Sequence, residues 1–159
     1  MSKYNFYTIH VDSLSSNTWT AAGFQNSFTN YLFVPIKDVV QVSVLSSSFP
    51  VSDSNVVYLS ISQLASNFND NTGTPDIASK TGIVSLPTTK DKIRTSIARF
   101  NVPASGRTVY SQKDFSTQTQ FSTPIRKLDR LTCELFDENG LLATTTSNSF
   151  ITFRFTCIA

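Results

Sequence analysis

The sequence is poor in the residues on which most enzyme sites depend. It has one histidine, His10, and only two glutamates, Glu134 and Glu138, which lie beside a single turn. One histidine excludes any site that needs two, and paired-carboxylate chemistry would have to take aspartates from separate loops. The sequence contains no glycine-rich phosphate loop, Gly-x-Ser-x-Gly elbow or zinc pattern. We therefore expect no enzymatic activity, no metal site and no cofactor.

Cysteines and long apolar runs are also scarce. Cys133 and Cys157 are not in Cys-x-x-Cys spacing, and both fall on the apolar sides of predicted strands. They are expected to act as small buried hydrophobes. A disulfide between them is possible if the two strands are neighbours, but a reducing compartment is the simpler assumption. No run approaches the ~20 apolar residues of a membrane helix, and the N-terminus lacks the apolar segment of a signal peptide. We expect a chain without a membrane span.

What the sequence does contain favours β-structure. Thirteen Phe and five Tyr among 159 residues supply large apolar side chains, while abundant Ser, Thr and Asn suit turns and solvent-facing strand positions. The scarcity of Glu argues against long charged helices. The length suits one domain covering residues 1–159 with a core of its own. The composition predicts an all-β protein.

The clearest strand lies in the segment 121–142. Its period-two alternation places Leu131, Cys133 and Leu135 on the inward face and Arg130 on the outward face. Pro124 is predicted to precede this strand, where a missing N–H does no harm. A further strand, 149–157, alternates in the same way and ends the chain with antiparallel β-structure.

The residues Asp137-Glu138-Asn139-Gly140 predict a turn after the first of these strands. Asn139 and Gly140 can adopt positive φ at little steric cost. The oxygen atoms of this turn, and those of residues 69–71, could also hold calcium. Turn formation is much the more common role of such residues, and it is the interpretation that we adopt for Asp137, Asn139 and Gly140.

The earlier part of the chain predicts further strands. They span 5–12, 28–34 (ended by Pro35), 39–48 (with Val40 inward), 55–61, 83–86, 93–102 and 108–110. A short helical turn fits the spacing of Ile61, Leu64, Ala65 and Phe68, and the polar segment 67–80 is the longest loop. About eight strands suit a single jelly-roll β-sandwich, with an immunoglobulin-like sandwich as the rival. The predicted core comprises Ile9, Val11, Val42, Val44, Leu59, Ile61, Leu131, Cys133, Leu135, Phe153 and Phe155.

Positive charge is concentrated in one part of the chain. Ten of the thirteen basic residues fall between Lys80 and Arg130, where only three aspartates oppose them. The simpler interpretation is a set of solvated strands and loops. The alternative is a basic face that binds an acidic partner, either protein or nucleic acid. No feature of the sequence predicts sequence-specific nucleic-acid binding.

The last forty residues carry a family resemblance. The pattern Pro124-Ile125-x-x-Leu128-x-Arg130-Leu131-Thr132, followed by Leu135-x-Asp137-x-x-Gly140 and a final apolar strand, resembles the end of single jelly-roll capsid proteins. These belong to nucleocytoplasmic large DNA viruses and their relatives, and they include the penton proteins of the capsid vertex. The resemblance implies a virion protein assembled in the host cytoplasm. It further implies a homopentamer that contacts the major, double jelly-roll capsid protein and other minor capsid proteins.

Candidate interface residues follow from these hypotheses. Arg130 is expected to project outward, and Arg126 and Lys127 are further candidates that need not share its face. Trp19 and Phe68 are candidate aromatic contacts. Burial within the monomer is an equal alternative for the aromatic residues. Two other functions stay open. One is a minor capsid protein of the same fold, and the other is a jelly-roll module that binds carbohydrate or a receptor through the 67–80 loop.

Overall fold

The computed structural model describes residues 3–13, 27–51, 54–64, 96–104, 106–111, 113 and 117–159. These residues form an antiparallel sheet of seven strands and one 3₁₀ turn, Ser62–Leu64. The strands are β1 Tyr4–Asp12, β2 Ser27–Phe49, β3 Val56–Ile61, β4 Ala98–Asn101, β5 Thr108–Ser111, β6 Gln118–Phe136 and β7 Phe150–Ile158. The predicted all-β fold is confirmed.

The sheet follows the order β1-β7-β2-β6-β3-β4, with β5 also paired to β2. The two long strands, β2 and β6, have different neighbours along their first and last parts. The first part of β2 pairs with the last part of β6, which pairs in turn with β3. The last part of β2 pairs with β7, with the first part of β6 and with β5. Each long strand therefore passes from one sheet into the other.

This pairing is the topology of a jelly roll. One sheet contains β1, β7, the last part of β2 and the first part of β6 in that order. The other contains the first part of β2, the last part of β6, β3 and β4. Successive segments of the chain thus cross repeatedly between two antiparallel sheets, as in a double Greek key. The predicted jelly-roll β-sandwich is confirmed.

The core fills the space between the two sheets. Phe49 of β2 and Phe100 of β4 come from different sheets, and their ring centroids lie 5.3 Å apart. Phe100 also contacts Tyr110 of β5 at 5.1 Å. Such tilted aromatic pairs add to the stabilisation from buried area. Every predicted core residue is buried except Ile9, which is only partly buried because it lies on the edge strand β1.

Both long strands bend where they change sheets. In β6, Leu128 and Leu131 are both buried while Asp129 and Arg130 between them are exposed. Strict alternation would place residues three apart on opposite faces, so the backbone rotates between them. In β2 the same spacing separates the buried Ile36 and Val39. These two bends form one corner of the sandwich.

The bends overturn three predictions from the sequence. Pro35 does not end a strand, and Pro124 does not precede one, because both lie inside continuous strands. Each proline lies where β2 and β6 have no paired residues. Its missing N–H therefore removes no hydrogen bond between the strands. Val40 is half-buried rather than inward, because a register shift between Val39 and Gln41 turns Val39 to the core instead.

The two cysteines are buried and unpaired. Cys133 is the register partner of Phe28, near the start of β2, whereas Cys157 is the partner of Val39, beyond the bend. Cys133 lies on β6 and Cys157 on β7, and β2 runs between these two strands. The thiols also lie level with distant positions of β2. Disulfide geometry requires Cα atoms within about 7 Å, so the disulfide left open by the sequence does not form.

Several predicted features lie outside the described residues. They are Trp19, Ala65, Phe68, the 67–80 loop and the strand 83–86. Of the predicted helical turn, the described part is the 3₁₀ turn Ser62–Leu64, in which Leu64 is fully buried.

Candidate interaction surface

The outside of the corner carries a protrusion of apolar residues. The register runs from Tyr31 opposite Arg130 directly to Ile36 opposite Leu128, so residues 32–35 of β2 lie opposite Asp129 alone. The surplus backbone cannot stay in the ladder and bulges outward. Phe33 is consequently fully exposed, at 102%, and Val34 is 68% exposed.

This protrusion is held at both ends. Leu32 packs against the core and Ile36 is buried, so the bulge has an apolar anchor on each side of its exposed residues. Pro35 has its φ angle fixed by its ring, which removes freedom at the end of the bulge. A segment constrained in this way loses little entropy when it binds a partner.

Basic residues of β6 lie opposite the two ends of the protrusion. Arg126, Lys127 and Arg130 are all exposed, and none of them has an ion-pair partner among the residues that the structure describes. Lys127 is moreover the direct register partner of Lys37 on β2. Like charges directly opposite one another in a sheet destabilise it. We call Tyr31, Phe33, Val34, Arg126, Lys127 and Arg130 the corner patch.

A second surface lies at the far end of β6, where the chain turns towards β7. Asp137 organises this turn: one carboxylate oxygen, Oδ1, accepts hydrogen bonds from the N–H groups of Asn139 at 2.8 Å and Leu141 at 3.0 Å. The Gly140 N–H donates to the Asp137 carbonyl at 3.1 Å, and Gly140 has a φ of 81°. The side chain of Asp137 therefore serves the backbone of its own turn.

The turn presents acidic and apolar groups to solvent. Glu138 is exposed, Leu141 is 54% exposed and Leu142 is 45% exposed. The Glu138 N–H donates to the Ser54 hydroxyl at 3.3 Å, which ties the turn to the start of β3. We call residues 137–142 the acidic turn. The segment 134–142 has three acidic residues and no basic one.

The strand β1 provides a third surface. Among the described strands it pairs only with β7, and Tyr4, Phe6 and Tyr7 on it are exposed. Tyr4 and Phe6 border a groove of about 500 Å³ whose other walls include Gln41 and Gln120. This groove has no charged lining residue.

The remaining candidate groups have structural roles. Within the described ranges, no cluster of three or more His, Cys, Asp or Glu side chains could hold a metal ion. Residues 69–71, the other calcium candidate from the sequence, lie outside those ranges. His10 is exposed on β1, and its Nδ1 lies 2.9 Å from the hydroxyl of Thr152, its register partner on β7. This cross-strand hydrogen bond accounts for the histidine.

The structure brings some predicted interface residues together and reveals others. Arg126, Lys127 and Arg130 are all exposed on β6, within a few residues of its bend, whereas Trp19 and Phe68 lie outside the described residues. The exposure of Phe33 and Val34 was not predicted from the sequence. Their signal was the run Tyr-Leu-Phe-Val before a proline, since consecutive apolar residues in a two-sided strand cannot all face the core.

Comparisons with known proteins yield structural similarities alone. No protein-family model matches the chain, and no curated protein sequence matches it. Two similar solved structures are the infectious bursal disease virus Gx strain (TM-score 0.33, 14% identity) and the VP2 subviral particle of that virus (TM-score 0.32, 12% identity). They cover 99% and 98% of this chain, which spans only 34% and 33% of theirs. The described residues include no helix with the length and apolar character needed to cross a membrane.

Proposed function

We propose that this chain is a structural subunit of a viral capsid, and more specifically a penton protein that forms a homopentamer at the five-fold vertices. Two observations support the proposal. The last forty residues resemble single jelly-roll capsid proteins, and the chain has the jelly-roll topology that this resemblance implies. In this role the protein is a virion component without enzymatic activity. It assembles in the host cytoplasm and contacts the major, double jelly-roll capsid protein.

Because a jelly roll serves many functions, the corner patch carries the proposal. Three exposed apolar side chains lie beside three basic side chains that have no ion-pair partner in the described part of the chain. The facing pair Lys37 and Lys127 costs stability in the isolated subunit. Such a surface is typical of one that is covered when subunits assemble.

The oligomeric state tests the proposal. Native mass spectrometry and sedimentation at increasing concentration should show a species of five copies of the 17.6 kDa chain. A ring of identical subunits uses two different patches on each copy, so assembly should stop at a closed size rather than continue. A chain that stays monomeric at every concentration, alone and with the major capsid protein, would contradict a capsid role.

A minor capsid protein of the same fold is distinguished by the same experiment. Such a protein would stay monomeric alone and form a stoichiometric complex when mixed with the major capsid protein. A pentamer formed without that protein supports the penton.

A further inference from the structure

We propose that the corner patch of one copy binds the acidic turn of a second copy, with Phe33 as the apolar anchor of the contact. The inference rests on the proposed function, because it requires that copies of this chain assemble with one another. It adds which two surfaces meet.

Charge complementarity selects this partner. The exposed corner carries Lys37, Arg126, Lys127 and Arg130 against Asp38 and Asp129, an excess of positive charge. The acidic turn presents one exposed carboxylate, that of Glu138, and the segment 134–142 contains no basic residue. Asp137 is buried and binds the backbone of its own turn, and Glu134 is half-buried and accepts a hydrogen bond from the Ser62 hydroxyl. Docking one on the other places the Glu138 carboxylate among the unpaired cations and relieves the repulsion between Lys37 and Lys127.

The apolar groups of the two surfaces also match. Phe33 and Val34 project from the corner, while Leu141 and Leu142 are exposed on the turn. An aromatic side chain that becomes buried in a pocket of the partner is a frequent anchor in protein interfaces, and the fully exposed Phe33 has the largest apolar surface to lose. The turn is itself held by the Asp137 hydrogen bonds, so neither surface has to reorganise on binding.

The positions of the two surfaces dictate how copies are arranged. Arg130 and the acidic turn lie along the same strand, at its bend and beyond its end, and at about 3.3 Å per residue they are roughly 20 Å apart. A contact between them therefore joins unlike patches of two copies. Contacts of this kind are heterologous, and they generate a closed ring when the rotation between neighbours allows it.

A charge-swap series tests the pairing. Arg130→Glu and Glu138→Lys should each raise the dissociation constant for self-association by about tenfold or more, because each places like charges in the contact. The double variant restores opposite charges, so it should associate within about threefold of the parent. Phe33→Ser should also weaken association about tenfold. Val109→Ser is the matched control, because Val109 is an exposed apolar residue of β5, 73% accessible and outside both surfaces.

Sedimentation equilibrium on each variant provides the measurement, with thermal unfolding to verify the fold. If the parent assembles and none of the variants differs from it, the pairing is wrong and the proposed function stands. Failure of the double variant to regain association would also overturn the pairing. A parent that never self-associates overturns the penton assignment and the pairing with it. Should Phe33→Ser fail to fold, the charge pair still decides.

Discussion

Ile36 of β2 and Leu128 of β6 are direct register partners, and both are buried at the point where the two strands bend together. Their pairing fixes the corner, because on β2 the apolar bulge ends immediately before Ile36, and on β6 the exposed pair Asp129 and Arg130 follows Leu128. This buried apolar pair thus determines where the long strands change sheets and which residues are exposed on the outside of the corner.

Truncating this pair should destabilise the whole domain. We expect Leu128→Ala to lower the free energy of unfolding by about 2–5 kcal/mol, since it removes a fully buried side chain and leaves a cavity. Leu141→Ala, the same substitution at an exposed position, should change it by about 0.5 kcal/mol or less. Urea unfolding followed by fluorescence measures both. Equal effects of the two variants would show that the corner is not fixed by its core contact.

The centre of the sandwich provides a second test. Phe153 is fully buried on β7 and contacts Phe155, with ring centroids 5.8 Å apart. We expect Phe153→Ala to cost about 3–5 kcal/mol of unfolding free energy. The matched variant Phe33→Ala should cost about 0.5 kcal/mol or less, because that ring is exposed. A loss below about 1 kcal/mol at Phe153 would mean that the strand register has shifted by one residue.

Gly140 is required by the backbone of the acidic turn. Its φ of 81° is a left-handed conformation that β-branched residues rarely adopt. We expect Gly140→Val to cost about 1–3 kcal/mol. Gly140→Asn should be milder, because asparagine tolerates this conformation better. A valine variant as stable as the parent in chemical unfolding would contradict the observed turn geometry.

The buried thiol of Cys133 predicts a dependence on pH. Burial, and secondarily the negative charge of Glu134, raise the pKa of Cys133 above its usual value. Above about pH 8.5 the thiol ionises in the unfolded chain and stays protonated in the folded one, so the unfolded state binds fewer protons. Stability should therefore fall as the pH rises from about 8.5, by up to ~1.4 kcal/mol per pH unit.

Melting temperatures between pH 7 and 9.5 measure this effect. The range ends below the ordinary pKa values of tyrosine and lysine, which would otherwise contribute. Cys133→Ala is the control, since it removes this titrating group and should reduce the slope. The slope that remains belongs to Cys157, because burial, and secondarily the charge of Asp38, raise the pKa of that thiol too. An unchanged slope in that variant would assign the pH dependence to another residue.

Much of the fold follows from the periodicity of the sequence, and the corner does not. Alternation identified the inward faces of β3, β7 and the end of β6, because in each of these segments every second residue is buried apolar and most of the residues between are more exposed. It failed at Pro35, Val40 and Pro124, because strands that change sheets rotate their backbones and interrupt their ladders there.

The candidate surface shows the same limitation. The outward position of Arg130 followed from its neighbour Leu131, a local relationship. The exposure of Phe33 depends on residues 32–35 lying opposite Asp129 alone, a pairing between segments almost one hundred residues apart. No local pattern carries that information, which explains why an apolar run interpreted as an ordinary strand contains the most exposed aromatic side chain in the described part of the chain.

The last prediction separates the electrostatic and apolar parts of assembly. Raising the ionic strength from 0.1 M to 1 M shortens the Debye length from ~10 Å to ~3 Å, which weakens exposed charge pairing and leaves apolar contacts intact. Self-association of the parent should therefore weaken with salt. Arg130→Ala should weaken it at low salt and reduce its salt dependence, because one screened contact is gone. Phe33→Ser should weaken association at every salt concentration and keep the salt dependence of the parent. Sedimentation of the three proteins across the salt series measures both effects. If Arg130→Ala assembles as the parent does at every concentration of salt, Arg130 is a solvated surface residue and takes no part in the contact.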